Sequence, residues 1–284
     1  MAATSEETIL TLGGTAFVVS ATNIAEYQAD VLVNSAGTGT GGERGSVGGT
    51  VSAALREAGG SGIFEELRAY EPLMPGDVIV ASAGRLQAKY VYHAIVVGWG
   101  DQKRVLQATI WRAVSKCIAL AQLMGMSSIA FPSLGTGSGA ADVWETHSTI
   151  AAACLDAFRS DGGLQRVCFC FLKPEESKVF HRAFYQQRLI RELRGLSVSA
   201  GMPAELGAAF RILQEKLLVW DANIDELKRV VDSVQAGTRG ETATYIVNHF
   251  GSGAVAVGNG AKAVAFGGVM VNGDNTGNIN ARPG

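Results

Sequence analysis

Short apolar runs alternate with helix-spaced segments from Thr8 to Leu172. Thr8–Leu12 and Ala16–Val19 are β-like runs on either side of a Gly13–Gly14 turn, and Val31–Val33 is a third. Thr50–Ala58 reads as a helix closed by Gly59 and Gly60, and Ile63–Tyr70 as a second one, stopped by Pro72 and Pro75. Asp77–Ser82 and Tyr90–Val97 return to the strand pattern. Between Gln102 and Met124, Val105, Ile110, Val114, Ile118 and Ala121 keep a helical spacing, and Gly125 ends it. Ser128–Phe131 is a buried-type strand, Val143–Arg159 a helix and Arg166–Leu172 a strand; Pro174 with Glu175 and Glu176 opens a further helix. Strands alternating with helices predict an α/β layered domain whose ligand crevice lies at the carboxyl ends of the strands.

The pattern changes beyond this region. Gly195–Met202 is a small-residue connector, and Pro203 starts a long helical pattern. Leu206, Phe210, Leu213, Leu217, Trp220, Ile224, Leu227, Val231 and Val234 alternate spacings of four and three, the seam of a coiled coil or of a helical hairpin capped near Asp221–Asn223. After Gly237, Ala254–Gly260 is echoed by Ala263–Gly268, and Gly/Asn turns continue through Asn280. Such rungs hide their apolar residues only by stacking, which predicts a short solenoid-like β-repeat tail or a disordered one. The expected division is a domain over 1–194, a linker over 195–202, a heptad-patterned helical segment over 203–236 and a Gly-rich tail over 237–284. Self-association through 203–284 into a homo-oligomer is expected, because an apolar stripe needs a partner to cover it.

Composition narrows the chemistry. The 284 residues carry 24 basic and 26 acidic side chains, a net charge of −2, which gives no support for general nucleic-acid binding. Negative ligands would be met locally by backbone dipoles. No apolar run approaches the ~20 residues of a membrane span, so no membrane partner is expected. The start of the chain lacks the basic and apolar segments of a signal peptide, and Cys117, Cys154, Cys168 and Cys170 are scattered, so a cytoplasmic protein with reduced thiols is expected. Cys168 and Cys170 read as small hydrophobes in a buried strand, and no metal ligand set or required cofactor is visible.

Two glycine loops stand out. Val31–Val33 runs into Asn34, Ser35, Ala36 and Gly37, then into a stretch containing Gly39, Gly41, Gly42, Gly45, Gly48 and Gly49 before the Thr50 helix. A strand, a loop of bare N–H groups and a helix amino end form an anion cradle. The second loop, Pro132–Ala140, follows the Ser128–Phe131 strand. Both sit at carboxyl ends of strands, so they are expected to face one another.

In these segments the chain from Thr11 to Leu189 resembles a macrodomain, the ADP-ribose-binding α/β module. Ala29–Gly37 resembles that family's strand into an Asn-Ala-Ala-Asn turn, and Gly48–Gly59 its Gly-Gly-Val helix start. Pro75–Val80 with Leu86–His93 resembles the next hairpin-like segment, and Phe131–Gly139 the phosphate loop. The resemblance implies a macrodomain-like three-layer sandwich with a mixed central sheet, followed by a long helix or helical hairpin and the β-repeat tail. It implies adenine beside Asn23 and Ile24, with Asn23 standing where the family usually has Asp. Gly48, Gly49, Thr50 and Val51 would lie on one side of the diphosphate. Ser133, Gly135, Thr136, Gly137, Ser138 and Gly139 would lie on the other. Asn34, Ser35, Ala36 and Gly37 would lie at the distal ribose. The ligand implied is ADP-ribose, an ADP-ribosylated partner or a related NAD-derived nucleotide.

The departures from the pattern bear on catalysis. Gly37 stands where the hydrolytic branch has the final Asn of its turn, and Val51 where a water-positioning Asp occurs. Hydrolysis needs a polar group within reach of the attacking water, and these positions supply none. A binder without catalytic residues is therefore expected. The alternatives are hydrolysis of ADP-ribosyl or O-acyl-ADP-ribose, and an oligomeric scaffold with a vestigial site. His93 reads as structural. His147 and Glu145 are two apart and point to different faces of a helix, which opposes a metal pair; His181 and His249 fall outside the expected cleft. Gly137-Ser138-Gly139 has no acid–His partnership beside it.

Overall fold

The computed structural model describes residues 6–38, 49–98, 107–137, 141–197, 225, 269–270 and 280–281. Its strands are β1 (Glu6–Leu12), β2 (Thr15–Ser20), β3 (Val31–Gly37), β4 (Val78–Ser82), β5 (Tyr90–Val97), β6 (Ser128–Pro132) and β7 (Arg166–Cys170). They form one mixed seven-stranded sheet in the order β1-β2-β7-β6-β3-β5-β4. The five inner strands are parallel, and β1 and β4 close the edges antiparallel. The chain leaves β3 toward β5 on one side and returns through β6 on the other. The β3–β6 boundary is therefore a point where the strand order reverses, the usual place for a ligand crevice in an open α/β sheet.

The helices are α1 (Thr50–Gly59), α2 (Gly62–Glu65), α3 (Gln107–Leu123), α4 (Val143–Ala157) and α5 (Pro174–Ser197). Leu55 of α1 and Ile63 and Phe64 of α2 share one core cluster with Leu32, Val91, Ile95, Ala130 and Cys168 from one face of the sheet. Period-two alternation sends Val31, Val33, Val167 and Phe169 to the other face, where Phe180 packs 4.2 Å from Phe169 and His147 of α4 packs 5.6 Å from Phe180. The result is three layers. Phe17, Phe131, Phe169, Tyr92, Leu32 and Leu55 are fully enclosed in them.

Asp30 fixes the amino ends of the inner strands. It accepts from the Ser127 amide at 2.7 Å and the Ser127 hydroxyl at 2.6 Å, and Lys89 Nζ lies 2.9 Å away. Desolvation alone would raise its carboxyl pKa, but the Ser127 and Lys89 hydrogen bonds outweigh that and hold it at about 2.

Some expected boundaries move. β3 runs four residues past Val33, because Asn34–Ala36 pair in register with His93–Ile95. A central strand can carry polar residues when neighbouring groups bind them. Ile63–Tyr70 is one turn of α-helix followed by a 3₁₀ segment, Glu66–Tyr70. The connection after Ser20 contains a 3₁₀ turn, Ile24–Glu26, capped by Asn23.

The chain divides into two compact units, Met1–His181 and Arg182–Gly284. In the second, the described residues comprise the latter part of α5, Asp225 and an antiparallel pair, β8 (Val269–Met270) with β9 (Asn280–Ala281). The heptad seam of 203–236, the repeats of 237–284 and the self-association expected through them otherwise lie outside the described residues. Among the described residues, no helix is long and apolar enough to cross a membrane.

Candidate functional site

The site is built at the carboxyl ends of β3 and β6. Asn34 is fully buried, Ser35 is half-buried and Ala36 is 1% exposed, so of Asn34 to Gly37 it is Ser35 and Gly37 that approach the surface. Gly37 lies against β5: a side chain there would start 3.2 Å from the Val97 carbonyl, the same carbonyl that accepts the Thr38 amide at 2.9 Å. The position expected to lack a catalytic side chain is also one where a side chain is crowded.

Helix α1 begins at Gly49 (φ −100°, ψ 150°) with no side chain capping it and no acidic residue in its first turn. Its leading amides have no intrahelical acceptor, which suits them to an anion, and the helix dipole favours one. Val51 is partly buried and packs against the apolar cluster. Gly48, Ser138 and Gly139 lie outside the described residues.

The second loop meets the carboxyl end of β3 directly. The Gly135 amide donates to the Ser35 hydroxyl at 3.1 Å, across the β3–β6 boundary. Gly135 has φ 75°, a left-handed conformation in which a Cβ would be strained. Within the loop the Thr136 hydroxyl donates to Ser133 Oγ at 3.0 Å, and Ser133 Oγ lies 3.0 Å from His147 Nε2. Ser133 accepts from Thr136 and, according to the ring tautomer, either donates to His147 Nε2 or accepts from it. His147 thus belongs to the loop's support, a contact that its spacing from Glu145 gave no reason to expect. Burial beside Phe171, 4.9 Å away, and Phe180 pushes its pKa down to about 4, and Nδ1 has no hydrogen-bond partner among the described residues.

Asn23 and Ile24 lie on the α1 side of the sheet, where Ile24 shares the apolar cluster with Ala36 and Leu55. Asn23 Oδ1 accepts the Ala25 amide at 3.1 Å to cap its 3₁₀ turn. One lone pair of that oxygen is thereby used, and one remains.

Three side chains under the loops are fully buried: Asn34, which is among the expected site residues, His93, which reads as structural, and Ser52, which the sequence does not single out. His93 Nδ1 lies 3.0 Å from Asn34 Nδ2, His93 Nε2 lies 2.8 Å from the Ile63 carbonyl, and the Ser52 hydroxyl donates to Asn34 Oδ1 at 2.9 Å. Asn34 therefore spends both ends of its amide inside the protein.

Comparison with known proteins agrees with this architecture. Residues 33–150 match the family profile described as Macro domain. O-acetyl-ADP-ribose deacetylase 1 of Pantoea vagans is 30% identical over 119 residues, which cover 40% of this chain and 67% of that protein. The chain belongs to the macrodomain family. A macro domain-containing protein of Caldanaerobacter subterraneus is 28% identical over 166 residues, 57% of this chain and 91% of that protein. Among solved structures, an Oceanobacillus iheyensis macrodomain mutant with ADPR superposes at a TM-score of 0.55 and 18% identity, covering 63% of this chain and 96% of that one. At that identity the likeness is one of fold. In this macrodomain the two loops of the site fall at either end of the matched profile: the first begins just after residue 33, and the second lies before residue 150.

Proposed function

We propose that this macrodomain holds ADP-ribose, or the ADP-ribosyl group of a modified partner, without cleaving it. The observation that carries the reading is the Ser35–Gly135 contact, which sets the loop after β6 against the carboxyl end of β3, the strand that Ser52 of the uncapped α1 also meets. Backbone amides from both sides then suit a diphosphate, and a chain of net charge −2 needs such local dipoles to attract one. Adenine would lie near Asn23 and Ile24, and the distal ribose near Ser35–Gly37. The Oceanobacillus iheyensis macrodomain with ADPR supports the ligand class. Isothermal titration of the full-length chain with ADP-ribose and with AMP tests this: ADP-ribose binds more tightly, and absence of heat with any ADP-ribosyl compound sinks the reading. We propose further that residues 203–284 self-associate, so that several sites meet a modified surface together. Light scattering that reports a monomer at all concentrations removes that part alone.

A second reading is hydrolysis of an O-acyl ester of ADP-ribose. The Pantoea vagans relative, a deacetylase by name, favours it, and so does the Ser133–His147 pair at the loop. Against it, His147 is a weak base at a pKa of about 4 and no carboxylate holds its Nδ1 among the described residues.

A further inference from the structure

The His93–Asn34–Ser52 series lies beneath the two loops, and all three side chains are fully buried. The hydrogen-bond directions along it are fixed from one end. The Ile63 carbonyl can only accept, so His93 Nε2 carries the ring proton. The ring is neutral, since burial presses its pKa down to about 4, and Nδ1 is therefore an acceptor. The Asn34 group facing it must then be the Nδ2 amide. This turns Asn34 Oδ1 toward α1, where the Ser52 hydroxyl donates to it; the Ser35 carbonyl lies 3.3 Å from the same hydroxyl.

Ser52 is the third residue of α1. A serine placed there normally faces solvent or its own helix backbone, yet this one is tied to the strand that carries the Ser35–Gly135 contact. Gly49 gives α1 no side-chain cap, so no local bond of that kind fixes its amino end. The tie to β3 supplies what the cap does not.

We propose that His93, Asn34 and Ser52 are positioning residues that hold the amino end of α1 at the separation from the β6 loop that a nucleoside diphosphate requires. The proposal rests on the diphosphate reading above, and it assigns Asn34 a place behind the site rather than a contact with the ligand. It also makes the series a determinant of specificity. A diphosphate bridged between α1 and the β6 loop is sensitive to their spacing, whereas a monophosphate engages one side only.

The test uses the full-length chain and compares wild type, Ser52→Ala, Ser52→Thr and His93→Gln by titration with ADP-ribose and with AMP. Ser52→Ala leaves Asn34 Oδ1 without its donor and weakens ADP-ribose binding about tenfold, and Ser52→Thr restores it. AMP affinity in Ser52→Ala stays within about twofold of wild type, because one anion contact tolerates the shift. Unchanged ADP-ribose binding in Ser52→Ala, or equal losses for both ligands, overturns the proposal. If wild type binds neither ligand, the diphosphate reading fails, and hydrogen exchange decides the positioning claim by itself. The Ala53 amide, 3.0 Å from the Gly49 carbonyl, then exchanges faster in Ser52→Ala and His93→Gln while the amides of Leu32 and Val91 hold their rates. Equal Ala53 rates in all four proteins overturn it. Nitrogen spectra add a signature that loss of packing would not give: His93 is a neutral Nε2–H imidazole in wild type, and Asn34→Asp moves a proton onto Nδ1. An Nδ1–H tautomer in wild type contradicts the series.

Discussion

The Ser35 hydroxyl accepts the Gly135 amide at 3.1 Å, so the carboxyl end of β3 is tied to the loop that follows β6. That bond uses one loop amide as a structural donor. Ser35→Ala removes the acceptor, lets the β6 loop drift and leaves the Gly135 amide to water. ADP-ribose affinity is expected to fall by about five- to tenfold, the equivalent of ~1 kcal/mol for one partly buried hydrogen bond. Titration of Ser35→Ala beside wild type checks this, with Ser35→Thr as the variant that keeps a hydroxyl; unchanged affinity would show that the loops hold their places without the bond.

Gly49→Glu tests the anion cradle from the other side. Among the described residues a Cβ at Gly49 meets nothing within 4 Å, and φ −100° suits any residue, so the described fold accommodates the change. The new carboxylate competes for the α1 amides and repels a diphosphate. Binding is expected to disappear with little change in melting temperature, whereas Gly49→Ala keeps it. Retained ADP-ribose binding in Gly49→Glu would mean that α1 does not face the ligand.

Much of this was legible in the sequence, and the reasons differ by residue. The alternation of apolar strands and helix-spaced runs encodes the layered sheet, because burial on both faces requires continuous apolar strands such as Val31–Val33 and Ile129–Phe131. The glycine loops advertise themselves by composition. Ser52 and His93 do not, since a serine early in a helix and a histidine within a strand have many uses. Their pairing with Asn34 depends on β3 and β5 lying side by side in register, Asn34 opposite His93, which no spacing along the chain encodes. His147 is illegible for a related reason: its spacing relates it to Glu145 on its own helix, while its partner Ser133 comes from the preceding loop.

The two buried histidines give stability a defined pH dependence. His93 and His147 both have pKa values lowered by burial from 6.5 to about 4. Below the unfolded value the unfolded chain takes up protons that the folded chain refuses. Stability is therefore complete above about pH 6.5 and is lost as pH falls toward 4, by at most roughly 3 kcal/mol per histidine. Asp30 acts in a separate window. Its carboxyl sits at about 2 in the fold against an ordinary 3.8, so its contribution is intact above 3.8 and is lost only as pH falls toward 2. Urea unfolding across this range is expected to show the histidine loss first and the Asp30 loss after it. Constant stability between neutral pH and about pH 4 would mean that neither ring is buried as described.

Holding and cutting are separated by Ser133 and His147. Acyl transfer through this pair would have the Ser133 oxygen attack the ester carbonyl while its proton passes to Nε2. The imidazolium so formed would sit between Phe171 and Phe180 with no carboxylate on Nδ1 among the described residues. Burial already disfavours that charge and lowers the ring's pKa to about 4, which makes it a poor base for the step. Gly37 brings no side chain that could orient a water instead. The expected result is that the full-length chain binds O-acetyl-ADP-ribose and releases it unchanged, followed by mass spectrometry of the ligand under single-turnover conditions. Ser133→Ala should then alter affinity slightly and turnover not at all. Product formation by wild type that Ser133→Ala abolishes would make the pair catalytic and replace the holding function with a hydrolytic one.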